Sequence, residues 1–143
     1  MESYWKSWAD ISLLSKNKKI VLYGRSEDWI PKVLQKIPHP FCIIDINPIY
    51  RNSSYKNIEV FSPQELLKLR DKHEIFIIVT SGVYEGIVNF LTEANFIAGI
   101  DFCCSPEMRD YSLLEEIRNY HQEVIVSCSD YNDNTNMRYS RAG

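Results

Sequence analysis

Three short segments of this chain carry residues whose types and spacing could bind a ligand. The first is Gly24-Arg25-Ser26, which closes the apolar run Lys19-Ile-Val-Leu-Tyr23. A glycine at a strand-to-helix turn lets backbone N–H groups approach a phosphate, and an arginine beside it can donate to phosphate oxygens. The full dinucleotide loop reads G-x-G-x-x-G. Here Gly24-Arg-Ser-Glu-Asp-Trp29 keeps the first glycine and places Ser26 and Trp29 at the other two positions. Glu27 and Asp28 add negative charge that repels phosphate. The segment reads either as a phosphate-binding turn or as a structural remnant of one.

The second segment is Phe41-Cys-Ile-Ile-Asp45, whose aspartate lies 21 positions after Gly24. An acidic residue about 20 positions on, at the end of the second strand, accepts hydrogen bonds from ribose hydroxyls in dinucleotide-binding units. The same residue also starts Asp-x-Asn-Pro, in which a carboxylate caps its own backbone turn. Both readings stand. The third segment, Thr80-Ser81-Gly82, follows the apolar run Ile75-Phe-Ile-Ile-Val79 and precedes a helix. Hydroxyls, a glycine and a helix N-terminus can contact an anion or a sugar, or can simply cap the helix. Gly24, Arg25, Ser26, Asp45, Thr80, Ser81 and Gly82 thus form the candidate binding set. The ligand it would take is a nucleotide, NAD(P) or a nucleotide-sugar.

No catalytic or metal-binding set accompanies it. His39, His73 and His121 have no cysteine or carboxylate partner at metal-ligand spacing. Cys103-Cys104 lacks the C-x-x-C geometry, and adjacent strand residues point to opposite faces. The four cysteines (Cys42, Cys103, Cys104 and Cys128) sit in or beside apolar runs, as buried reduced thiols do. Tyr84 is followed four positions later by Val88, so the Tyr-x-x-x-Lys pair of short-chain dehydrogenases is missing. Ser127-Cys-Ser-Asp130 could present a nucleophile but has no G-x-S-x-G elbow.

The elements that must hold these residues alternate between strand and helix. Tyr4, Trp5, Trp8, Ile11 and Leu14 have the spacing of an amphipathic helix over residues 3–15. Strands are expected at 20–23, 41–46, 58–61, 75–79, 100–104 and 124–127. Helices are expected at about 29–37, with Ser26–Asp28 supplying the cap, then 62–70, 83–94 and 108–120; residues 49–57 read as a loop. Ser62-Pro-Gln-Glu65 is a complete N-terminal signature, with serine cap, proline in the first turn and glutamate three residues on. The run 75–79 is continuously apolar, which implies burial on both faces, as in a parallel sheet. The fold class is therefore α/β: a Rossmann-like three-layer sandwich of five or six mainly parallel strands, with helices on both faces and an extra N-terminal helix. The expected organisation is an N-terminal helix over 1–17, a Rossmann-like domain over 18–128, and a polar tail or linker to a further domain over 129–143.

Composition narrows the function classes. With 45% hydrophobic residues in a chain of 143, a real core is affordable and wholesale disorder is excluded. A net charge of −3 supplies no basic field, which argues against a nucleic-acid partner. No apolar stretch approaches the ~20 residues of a membrane span, and residues 1–8 lack a signal-peptide core. The expected location is the cytoplasm.

With these residues placed, the chain resembles the Rossmann-like domains of bacterial surface-polysaccharide and sugar-modifying proteins. Similar domains occur in the N-terminal part of sugar O-acyltransferases and at the C-terminus of sugar C-methyltransferases. The resemblance rests on Lys19–Gly24, Ile43-Ile-Asp-Ile-Asn-Pro48, Val60-Phe-Ser-Pro-Gln-Glu-Leu66 and Ile77-Ile-Val-Thr-Ser-Gly-Val-Tyr84, and it covers about residues 18–104. It implies a non-catalytic nucleotide- or nucleotide-sugar-binding module within a larger protein. Two other functions remain open: an NAD(P)-dependent oxidoreductase, and a structural or oligomerisation module. The latter would use the Trp5/Trp8 helix as an interface to another copy or a neighbouring domain.

Overall fold

The computed structural model of the chain describes residues 3–109. The strand expected at 124–127, most of the helix expected at 108–120 and the polar segment 129–143 lie outside the described residues.

The protein is α/β. The strands are β1 (Lys19–Tyr23), β2 (Cys42–Ile44), β3 (Ser54–Tyr55), β4 (Ile58–Phe61), β5 (Ile75–Val79) and β6 (Phe102–Cys104). They form one six-stranded sheet in the order β3-β4-β2-β1-β5-β6. Every pairing is parallel except β3 with β4. β1 and β5 are interior neighbours, in register from Lys19 opposite Ile75 to Tyr23 opposite Val79. All five residues of β5 are buried, as the unbroken apolar run demands.

Successive strand residues face opposite sides, so strands such as β1, β2 and β5 feed two cores. Val21, Tyr23, Ile44, Ile77 and Val79 pack with Leu66 of α3 (Pro63–Lys72) and Leu91 of α4 (Tyr84–Glu93). Leu22, Ile43 and Ile78 pack with Ile11 of α1 (Trp8–Leu14) and with Ile30 and Val33 of α2 (Ile30–Leu34). The Ser62 signature is realised as a full capping box: Ser62 Oγ accepts from the Glu65 N–H, and the Glu65 carboxylate accepts from the Ser62 N–H.

Several boundaries differ from the pattern. The N-terminal helix begins at Trp8, because Ser7 and Asp10 form their own capping box there. Tyr4 and Trp5 are therefore not helical. Trp5 forms a parallel bridge with Cys104, and the Cys104 N–H donates to the Tyr4 carbonyl (2.7 Å), which extends the sheet beyond β6. Helix α2 is only five residues long and its N-cap is Trp29, without a side-chain cap bond. Ser26 instead closes a local turn, accepting from the Asp28 N–H at 3.2 Å. The polar stretch 49–57 is not all loop: Pro48–Tyr50 is a 3₁₀ turn and Ser54–Tyr55 pairs antiparallel with β4. Val83, expected to face inward on α4, is its N-cap and 77% exposed.

Candidate functional site

Where the carboxyl ends of β1, β2, β4 and β5 converge, a cleft of about 610 Å³ opens between the N-terminal ends of α3 and α4. Its walls come from the residues that end those strands and begin those helices. Of the candidate set, Gly24, Asp45 and Ser81 line it, whereas Arg25, Ser26, Thr80 and Gly82 do not.

Gly24 has φ +121°, a backbone conformation that L side chains rarely adopt. Its N–H donates to the Ile44 carbonyl (2.7 Å), and its carbonyl accepts from the Thr80 hydroxyl (2.7 Å). A Cβ there would stand 2.7 Å from Ser81 Cβ and 2.9 Å from the Thr80 carbonyl oxygen. The close approach that requires glycine is thus made by the end of β5. Thr80 is fully buried, and its hydroxyl serves this contact rather than a ligand or a cap.

Arg25 leaves the cleft altogether. Its guanidinium lies over the rings of Tyr50 and Tyr55, at 4.3 and 4.7 Å from their centroids. Those tyrosines belong to the core on the α1/α2 face, opposite the face that α3 and α4 cover. Attraction to two electron-rich faces holds the cation there. Its buried Nε has no hydrogen-bond partner among the described residues.

Asp45 realises the turn reading of the sequence and adds to it. One carboxylate oxygen accepts from the Asn47 N–H and the other from the Arg25 N–H, both at 2.8 Å. The aspartate therefore ties the end of β2 to the turn after β1 while lining the cleft. A carboxylate oxygen has more than one lone pair, so each retains accepting capacity toward the cleft. Ser81 also lines the cleft, and its hydroxyl accepts from the Val83 N–H at 3.3 Å.

Tyr23, Arg51 and Gly86 are among the cleft residues that the sequence-derived set lacked. Tyr23 is 3% exposed and stands edge-on to Phe90, with ring centroids 6.0 Å apart. Burial, with the Asp45 carboxylate adding to it, pushes its pKa up to about 12, so its hydroxyl remains a donor at neutral pH. Among the described residues Arg51 is the one basic side chain lining the cleft, from a loop in which the sequence offers no pattern. Gly86 lies inside α4 with nothing within 4 Å of a would-be Cβ. A glycine in a helix interior without a packing reason was the available signal for it.

The remaining candidates have ordinary surroundings. Burial raises the thiols of Cys42 and Cys103 to about 12 and that of Cys104 higher still, which keeps them protonated and inert. Among the described residues no cluster of three metal-ligating side chains occurs, and no helix is long and apolar enough to cross a membrane. Trp5 and Trp8 are half-buried within the domain: Trp5 packs on Tyr4 and Tyr84, and the Trp8 indole donates to Glu107 at 2.7 Å. His121 and Ser127–Asp130 lie outside the described residues. Comparison of the chain with protein-family models, with curated proteins and with solved structures finds no match.

Proposed function

We propose that the domain beginning at residue 18 is a Rossmann-like, non-catalytic module. It binds a nucleotide or nucleotide-sugar for a larger sugar-modifying or surface-glycan protein. The observation that carries this reading is the position of the cleft. From β1 the chain moves outward through β2 to β4, then crosses by α3 to β5 and moves the other way to β6. The cleft opens beyond the carboxyl ends of the strands at that reversal, where open α/β sheets take their ligands. Its volume of about 610 Å³ falls in the range of small-molecule sites. Apolar walls from Ile46, Pro48, Ile87 and Phe90 suit a base, and Asp45 suits a ribose hydroxyl.

The test is thermal stability of the chain with UDP-, GDP- and CMP-sugars, coenzyme A, NADH and NADPH. Binding to the folded state alone adds about 2.7 kcal/mol at roughly a hundredfold excess over Kd. A rise in Tm with one class of nucleotide-sugar is the expected result. Stabilisation by NADH or NADPH alone would replace this reading with the oxidoreductase one. No shift with any of them at millimolar concentration would leave a structural role as the better account.

A further inference from the structure

Resting on that nucleotide reading, we propose that the ligand's phosphoryl group binds at the N-terminus of α4, against the Tyr23 hydroxyl, and not at the turn after β1. Two independent observations meet in the one cleft. The first is the helix end. α4 is ten residues long, and its N-cap, Val83, makes no side-chain cap bond. The N–H groups of Tyr84, Glu85 and Gly86 come before the first possible i→i−4 bond of the helix and have no acceptor within it. Gly86 faces the cleft with open space where a side chain would be. The positive end of the helix dipole is therefore accessible there.

The second observation is Tyr23. It is 3% exposed and lines the same cleft, and its hydroxyl makes no hydrogen bond among the described residues. The ring is buried, while the hydroxyl is not among the buried unpartnered polar atoms of the described residues, so it meets the solvent of the cleft, where a phosphate oxygen can accept from it. Asp45, whose charge acts on it, already accepts two backbone N–H bonds. Among the described residues the charged side chains lining the cleft, Asp45 and Arg51, are of opposite sign. Glu85 lies in the first turn of α4 and is exposed, outside the cleft lining.

The turn after β1 does carry a buried donor without a partner, Arg25 Nε, but that donor lies outside the cleft. The space beside Gly24 is filled by Thr80 and Ser81, Arg25 is stacked on tyrosines on the far face, and the five-residue α2 starts at the buried Trp29.

Amide chemical shifts of the ¹⁵N-labelled chain, titrated with inorganic pyrophosphate and with UDP, test the assignment. Both probes should move the Glu85 and Gly86 resonances more than those of Gly24–Ser26. In Gly86→Glu, a carboxylate at the third helical position satisfies the helix end internally and fills the space. This variant should keep or raise Tm, lose the pyrophosphate response and bind UDP at least tenfold more weakly. Tyr23→Phe keeps the ring on Phe90 and should weaken UDP about tenfold. Largest UDP shifts at Gly24–Ser26, or unchanged UDP affinity in Gly86→Glu, would overturn the subsite and leave the nucleotide reading standing. A pyrophosphate response at Gly86 with no response to UDP would uphold the subsite and overturn the nucleotide reading. Silence toward both probes would overturn both.

Discussion

The turn after β1 and the turn after β5 begin alike and end differently. Each leaves an interior strand, carries a glycine and hydroxyls, and leads into a helix. In the first, the glycine is consumed by the fold: Gly24, at φ +121°, lets the backbone lie against Thr80 and Ser81. Its neighbours are also engaged internally, with the Arg25 N–H on Asp45, its guanidinium on two tyrosines, and Ser26 closing a turn. In the second turn the hydroxyls are used and the helix start is not. Thr80 holds Gly24 and Ser81 holds the Val83 N–H, yet α4 has no side-chain cap and a glycine inside its first turn. The residue types that suggest phosphate binding thus went into building the sheet. The less conspicuous turn kept its backbone donors available.

The sharpest way to break this contrast is Gly24→Ala. The positive φ and a Cβ at 2.7 Å from Ser81 both oppose it, so a loss of about 3 kcal/mol or more is expected in urea unfolding. A loss below about 1 kcal/mol would show that β1 and β5 can part at this point and that Gly24 remains available to a ligand. Thr80→Val comes next. It leaves the Gly24 carbonyl without its buried donor at nearly constant side-chain volume, for a loss of about 1–2 kcal/mol.

The glycine in the first turn of α4 should answer with the opposite sign. Gly86 is helical, exposed and free of steric neighbours, so Gly86→Ala should stabilise by about 0.5–1 kcal/mol, read as a higher urea midpoint at unchanged m-value. A destabilised Gly86→Ala would mean that the first turn of α4 needs glycine's backbone freedom, and the contrast between the two turns would fail.

The smallest effect at neutral pH comes from titration. Tyr23 is raised from 10.0 to about 12, and Cys42 and Cys103 from 9.0 to about 12. Between those values the folded state binds more protons than the unfolded state, so stability falls as pH rises. The expected loss is confined to about pH 9–12, with Tyr23→Phe removing the part above pH 10. A Tyr23→Phe variant with the same pH dependence above pH 10 as the parent chain would show that the Tyr23 hydroxyl is freely solvated in the folded state.

Much of the fold was legible in the sequence. The unbroken run Ile75–Val79 implied a parallel-sheet strand buried on both faces, and Ser62-Pro-Gln-Glu65 located the start of α3 to the residue, because capping chemistry is local. The α1 boundary was legible too, in Ser7 and Asp10, but the aromatic spacing of Tyr4, Trp5 and Trp8 obscured it. The site was less legible. Asp45 at the end of β2 and Ser81 at the end of β5 were identified, since strand ends follow from apolar runs. Arg25 was misplaced, since nothing local says that Tyr50 and Tyr55 wait on the far side of the sheet.

Local pattern alone determined that this chain makes alternating strands and helices, that its β5 is buried on both sides and that β1 ends in a glycine. Periodicity, capping and steric freedom act within a few residues, so they can be read without the fold. Only the tertiary structure decided what that glycine is for, which arginine reaches the cleft and which helix end stays uncapped. Each depends on contacts between segments far apart in sequence, as Thr80 on Gly24 and Asp45 on Arg25 illustrate. Those contacts form only once the sheet has brought β1, β2 and β5 side by side.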